Sequence, residues 1–351
     1  MNIRIQINGQ TFESSEDLLV YIGNCFPSHA NFLSAWFSPT DTVDITTSGS
    51  TGKPKTITFP KEKLIKSARR TIDIFKLYEG TKTLLNLPSS FVAGKMMWIR
   101  ALTGHWDLHL LDPSEKIPAN LSYDFGAMVP LQIQKNPGIT DNFTKLIIGG
   151  APIADELFHD LSHRKNAIFQ TYGMTETLTH VALMPLTAQA AAIIKKSHPS
   201  DKVFHALDGV SFSVDERQCL IVKDSRTDLK VTTNDIVELL DNQSFKWIGR
   251  YDHVINSGGI KFFPEQVEKK LSPYLSTQFI ITAVPDKKWG DKTILVIEGT
   301  PYELPSEIFD KAGLKFYEKP KRIIFLPEFP RTASGKIKRE EIRKLLLRDK
   351  F

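Results

Sequence analysis

The sequence predicts an α/β protein in two units: a large N-terminal one, residues 1–250, with mainly parallel βα sheets plus a small β-rich subdomain, and a small α+β one, residues 251–351. Three observations carry this. From about residue 40 to 180, short apolar runs alternate with segments of 3.6-residue apolar period, as strands joined by covering helices do. From about 203 to 250 the texture changes to hairpin-like runs separated by turn residues. The stretch "GRYDHVINSGG" then punctuates the chain, which places the boundary at Arg250 to Asp252. A length of 351 residues allows about two domains, each with its own core.

The opening "MNIRIQINGQTFESSEDLL" alternates like a strand and lacks the apolar core of a signal peptide. "TVDITT" reads as a strand leading into a glycine-rich run, "KEKLIKSARRTIDIFKL" as helix and "TKTLLNLP" as strand. "SFVAGKMMWIRALTG" reads as helix, "WDLHLLDP" and "KLIIGGAPI" as strands, "ADELFHDLSH" as helix and "AIFQTYG" as strand. In a parallel sheet of this kind ligands sit at the carboxyl ends of the strands, and "TSGSTG", "GGAP" and "TYGMTE" all follow strand candidates. Farther on, "VSFSVDERQCLIV" and "DIVELLDNQSFKWIG" read as hairpins, and "PEQVEKKL" as a helix with Pro264 at its first position.

Composition narrows the function classes. Charged residues make up 24% and apolar ones 41%, ordinary globular values. The formal charge of +5 is spread along the chain and concentrates only near the C-terminus, without the basic-aromatic stripe of a nucleic-acid binder. No apolar run approaches the ~20 residues of a membrane helix, so a soluble, cytoplasmic protein is expected. Cys25 and Cys219 have neither metal-ligand nor disulfide spacing and are expected to be small core residues.

The run "ITTSGSTGKPKTI" carries the first chemistry. It fails the Walker A pattern, because only two residues separate Gly49 from Gly52 and Pro54 follows Lys53. Its hydroxyls and glycines still suit a phosphate cradle: Thr47, Ser48, Ser50 and Thr51 as donors, Gly49 and Gly52 opening the backbone, and Lys55 as a mobile cation. Four further motifs join it: "IGGAPI", "QTYGMTET", "GRYDHVINSGG" and "PRTASGKIKREEI". Together, in this order, they resemble the adenylate-forming superfamily of acyl-CoA synthetases, luciferases and peptide-synthetase adenylation domains, over about residue 42 to the C-terminus.

That resemblance implies ATP, Mg²⁺ and CoA as small-molecule partners and assigns roles residue by residue. Gly150, Ala151 and Pro152 let the base approach the backbone; Thr171, Tyr172 and Gly173 complete its pocket, with Tyr172 stacking on adenine. Thr175 contacts a phosphate oxygen and Glu176 offers Mg²⁺ a hard carboxylate. In "VTTNDIVEL" Asn234 replaces the family's glycine, a mild departure because Asn tolerates left-handed backbone, and leaves Asp235 for the ribose hydroxyls. Arg250 adds a ribose or phosphate contact, Asp252 matches the hinge, and Gly258 and Gly259 line the path of the CoA arm. Lys336 matches the lysine that bridges carboxylate and α-phosphate, a cation needed where negative charge gathers.

About 45 residues precede the phosphate run, far fewer than in most members, so a small acid or a partner protomer in a homodimer would compensate for the missing subdomain. Such short forms look most like the o-succinylbenzoate-CoA ligases of menaquinone biosynthesis. Their substrate is a dicarboxylate whose second carboxylate needs a cationic partner, for which Lys95 is the first candidate and Arg100 and His180 the next. The alternatives are another small acyl- or aryl-CoA ligase, an enzyme loading a carrier protein, and a non-catalytic AMP-binding protein.

Overall fold

The computed structural model describes residues 2–46, 55–113, 117–118, 120–195, 198–332 and 335–348. A hairpin, β1 (Asn2–Ile7) and β2 (Gln10–Ser14), leads into α1 (Ser15–Cys25) and α2 (Pro27–Phe37). A separate ribbon follows, β3 (Thr42–Thr46) with β4 (Thr56–Pro60). Next come α3 (Lys61–Ile74), β5 (Lys82–Leu85), α4 (Val92–Gly104), β6 (Asp107–Leu110), β7 (Tyr123–Met128), α5 (Pro130–Lys135), β8 (Phe143–Ile148), α6 (Asp155–Ser162) and β9 (Ala167–Gly173). The chain continues with β10 (His180–Pro185), α7 (Ala188–Ile194), β11 (Phe204–Ala206), β12 (Val210–Val214), β13 (Cys219–Asp224), β14 (Leu229–Asp241) and β15 (Ser244–Arg250).

These strands form one 13-stranded sheet in the order β12-β13-β14-β15-β11-β10-β9-β8-β7-β5-β6-β1-β2. From β9 to β1 every pairing is parallel. The sense reverses at β10, and the hairpin strands continue the same sheet antiparallel to β12. Two expectations are corrected here. The strand before the phosphate run is not part of the parallel sheet but of the antiparallel β3–β4 ribbon, in which Thr46 faces Thr56. Cys25 is exposed, at the last residue of α1, whereas Cys219 is buried. Sequence periodicity also passes over β7 and α5.

The smaller unit is built on a second sheet. Its elements are β16 (Ile255–Ser257), β17 (Ile260–Phe262), α8 (Pro264–Leu271), β18 (Phe279–Asp286), β19 (Gly290–Glu298), α9 (Glu307–Lys311), β20 (Arg322–Leu326) and α10 (Arg339–Arg348). One sheet face packs on α8 and α9 through Val267, Leu271 and Phe309; the other packs on α10 through Ile342 and Leu346. A fork from Arg339 to Glu268, at 2.7 Å on one arm, ties α10 to α8. Among the described residues no helix is long and apolar enough to cross a membrane.

Helix α4 occupies the centre of the larger unit: every residue from Gly94 to Ala101 is buried. A helix with no solvent face must be enclosed by protein on all sides. Here α3 and α2 help to enclose it. From α2, His29 accepts a hydrogen bond on Nδ1 from the Trp98 indole at 3.0 Å, and its Nε2 has no partner among the described residues. Burial drives the His29 pKa down to about 4, so the folded protein holds the ring neutral.

The sign follows: the unfolded chain takes up this proton near pH 6.5 and the folded one only near 4, so stability is complete above the first value and is lost as pH falls between them. Chemical denaturation at pH 7 and pH 5 is expected to show a loss from this group of about 2 kcal/mol. His29→Gln should flatten that limb, and an unchanged slope in the variant would remove His29 as its source.

Candidate active site

The sheet changes sense at the carboxyl end of β9, and several predicted site residues meet there. Thr171, Tyr172 and Gly173 close the strand, and a 3-10 turn holding Thr175 and Glu176 follows. Gly173 is dictated by closeness, since a Cβ there would lie 2.3 Å from the Thr179 carbonyl oxygen. The Tyr172 hydroxyl donates to Asp235 Oδ2 at 2.6 Å. Burial, and then the adjacent Asp235 carboxylate, push this phenol well above its ordinary value, so it keeps its proton as the donor. Gly150, Ala151 and Pro152 form the turn between β8 and α6, beside Thr171, whose hydroxyl donates to the Ile148 carbonyl at 3.2 Å.

Asp235 sits in β14 directly opposite Arg250 of β15. Arg250 Nη1 lies 3.6 Å from Asp235 Oδ1, while its Nε and Nη2 donate to both oxygens of Asp252 at 2.9 and 2.8 Å. One guanidinium therefore joins the predicted ribose carboxylate to the predicted hinge residue. The left-handed backbone expected at Asn234 is absent: the residue lies within β14 and is not among those with positive φ. Its side chain instead accepts from Arg217 Nη1 at 3.2 Å, and the same guanidinium lies 5.1 Å from the ring centroid of Tyr251, the neighbour of the hinge residue. Sequence reading missed Arg217, which no motif marks.

Lys336 reaches this place from the smaller unit, on a turn in which its N–H donates to Thr332 Oγ1 at 3.1 Å and its carbonyl accepts from the Thr332 N–H at 2.8 Å. Burial, followed by the Arg250 charge, lowers the ammonium's pKa, and Asp235 and Glu176 oppose that shift. The cation thus lies within the field of three other predicted site residues. Glu176 is exposed, and no group of three metal-ligating side chains occurs among the described residues. That donor set fits Mg²⁺, which keeps several waters and is held by one or two carboxylates with substrate phosphates.

Other predicted residues lie outside this chain of contacts. Thr47, Ser48, Gly49, Ser50, Thr51 and Gly52 fall outside the described residues; Lys55, beside β4, is exposed. Lys95 is 9% exposed, not a helix-surface lysine, and its Nζ donates to the Asp44 carbonyl of the ribbon at 3.0 Å. Arg100 is 2% exposed and its Nη2 donates to Thr179 Oγ1 at 3.1 Å and His180 Nδ1 at 3.3 Å. It makes no ion pair among the described residues, and burial pushes its pKa down to about 9. Gly258 and Gly259 form the β16–β17 turn in the smaller unit. Beside them the Trp289 ring is flanked by the ammonium groups of Lys288 and Lys321, each 5.2 Å from its centroid, and by Phe316 at 5.9 Å.

The sequence profile of the family described as AMP-binding enzyme matches residues 32–203. Among curated proteins, the chain is 25% identical over 323 residues to the 2-succinylbenzoate–CoA ligase of Enterococcus faecalis, covering 83% of this chain and 67% of that one. Among solved structures, it is 34% identical to an AMP-forming acyl-CoA synthetase/AMP-acid ligase II-like protein of Dyadobacter fermentans, with a TM-score of 0.56 and coverage of 91% and 94% of the two chains. The o-succinylbenzoate CoA synthetase of Bacillus subtilis in complex with its acyl-adenylate shares the fold, with a TM-score of 0.72, 19% identity and coverage of 86% and 68%.

The docking of the lysine turn generates a prediction. Gly335 has φ +83°, and a Cβ there would lie 2.9 Å from Leu131 Cδ2 of α5. Gly335→Ala combines that contact with left-handed strain of about 1–2 kcal/mol and is expected to slow adenylation about tenfold. Pyrophosphate release measures it; a rate equal to wild type would show that the turn does not need this docked geometry.

Proposed function

Because the chain belongs to the adenylate-forming AMP-binding enzyme family, we propose that it is an AMP-forming acid–CoA ligase whose acid is 2-succinylbenzoate, a cytoplasmic enzyme of menaquinone biosynthesis. The observation that carries the substrate is Arg100: a buried guanidinium whose hydrogen bonds among the described residues, to Thr179, His180 and Met97, all go to neutral groups. A buried cation without a counter-charge is costly, and a substrate carboxylate supplies the missing partner in a bidentate geometry. A dicarboxylic acid can meet Arg100 with one carboxylate and present the other to ATP. Lys95, anchored on Asp44, fixes the ribbon next to the phosphate run and adds positive potential there.

In the first half-reaction the second carboxylate attacks the α-phosphorus, the bond to the bridging oxygen breaks and pyrophosphate leaves. Lys336 offsets the charge that gathers at phosphorus, while Asp235 and Arg250 hold the ribose end. Glu176 would hold Mg²⁺, which when bound would supply charge neutralisation at the phosphate oxygens. In the second half-reaction the CoA thiol loses its proton, its sulfur attacks the acyl carbonyl, and AMP leaves. Gly258 and Gly259 admit the pantetheine arm, and the Trp289, Lys288 and Lys321 cluster suits a stacked base carrying phosphates. The smaller unit turns at Asp252 between the two steps and withdraws Lys336.

Pyrophosphate release from Mg·ATP, run over a panel of carboxylic acids with and without CoA, tests this reading. Turnover selective for 2-succinylbenzoate and completed only with CoA is expected; selective turnover of a monocarboxylic acid would overturn the substrate, and silence across the panel would overturn the activity. Lys336→Ala should abolish adenylation while sparing thioester formation from preformed acyl-adenylate.

A further inference from the structure

His180 follows the "TYGMTET" motif, and both of its ring nitrogens are engaged. Nδ1 lies 3.3 Å from Arg100 Nη2, which can only donate, so this nitrogen carries the lone pair. The proton is therefore on Nε2, which lies 3.4 Å from Thr71 Oγ1 of α3. That hydroxyl in turn donates to the Ser67 carbonyl at 3.3 Å, which leaves its lone pairs for the histidine. A direction thus runs from Arg100 through His180 and Thr71 into the backbone of α3.

The charges around the ring explain why it must be neutral. Burial, then Arg100 and Arg70, hold His180 well below its ordinary value. Arg70 is itself committed, its Nη1 paired with Asp224 at 2.9 Å and donating to the Asp208 carbonyl at 3.3 Å. A protonated histidine would add a third cation to a site with a single described carboxylate. A carboxylate in place of the imidazole would do the opposite, pairing with Arg100 and cancelling the charge. A neutral acceptor orients the guanidinium and spends none of it.

We propose that Thr71 and His180 are positioning residues that fix the Arg100 guanidinium while leaving its charge for the acyl substrate, and so set the selectivity for dicarboxylic over monocarboxylic acids. This rests on the reading above in which Arg100 meets the substrate's second carboxylate. His180 acts through Arg100, in contrast to the direct substrate contact expected from the sequence. Thr71, which no motif contains, becomes a specificity residue.

The test compares 2-succinylbenzoate with 3-benzoylpropionate, which lacks only the ring carboxylate. The quantity read is the ratio of their kcat/KM values. Thr71→Val exchanges one hydroxyl for a methyl and is expected to lower the ratio about fivefold, through a higher KM for the dicarboxylate, with Thr71→Ser restoring it. His180→Gln should lower it further, and His180→Glu should bring it close to one by pairing with Arg100. In the wild type, ¹⁵N resonances of histidine should show the Nε2–H tautomer at His180, identified by its loss in His180→Gln. A wild type indifferent to the ring carboxylate would overturn the role of Arg100 itself. A selective wild type whose ratio stays within about twofold in Thr71→Val and His180→Gln would overturn only the positioning pair, as would an Nδ1–H tautomer.

Discussion

The hydrogen bond from Tyr172 to Asp235 is the joint on which the site turns. It ties the last parallel strand, β9, to β14 in the antiparallel wing, although β10, β11 and β15 lie between them in the sheet. β9 and β14 are four strand spacings apart, roughly 19 Å in a flat sheet, so the sheet must curl to bring the two side chains within hydrogen-bond reach. Once Asp235 is fixed, register places Arg250 opposite it, and Arg250 places Asp252. The predicted nucleotide contacts and the predicted hinge are therefore successive partners in one chain of polar contacts. Its buried members are satisfied, as a low-dielectric interior demands.

Much of this was legible in the sequence. The parallel core, the hairpin wing and the helix opening at Pro264 follow from periodicity and turn chemistry, which are local. The order of the motifs points to the family without any fold. What stayed hidden is what depends on partners far apart in the chain. The β3–β4 ribbon reads as a strand of the main sheet because a strand's pattern does not state its neighbours. Lys95 reads as the first candidate for the substrate's second carboxylate, and no local pattern shows that its ammonium donates to the Asp44 carbonyl of the ribbon. The expectation for Asn234 rests on a backbone conformation it does not have, because its actual partner, Arg217, is fixed only by the fold.

The enclosure of α4 also gives the segment before β3 a structural role. The first strand extends the parallel sheet through β6, and α2 brings His29 and Phe32 against Trp98 and Lys95. A few dozen residues thus cover a helix that would otherwise present buried-type surface to water. The cover is made with an imidazole kept neutral by burial, and that choice carries an acid sensitivity.

Gly335 has a consequence for motion. The lysine turn meets α5 through a residue with no side chain, and its apolar neighbour Leu131 stays 38% exposed in the docked arrangement. At this one contact undocking would uncover little apolar surface, and at roughly 25 cal/mol per Å² little area means little free energy. In the proposed rotation about Asp252, a bare backbone at that contact adds no side-chain packing for the binding of either substrate to overcome, whereas a larger residue there would hold the lysine turn to one posture.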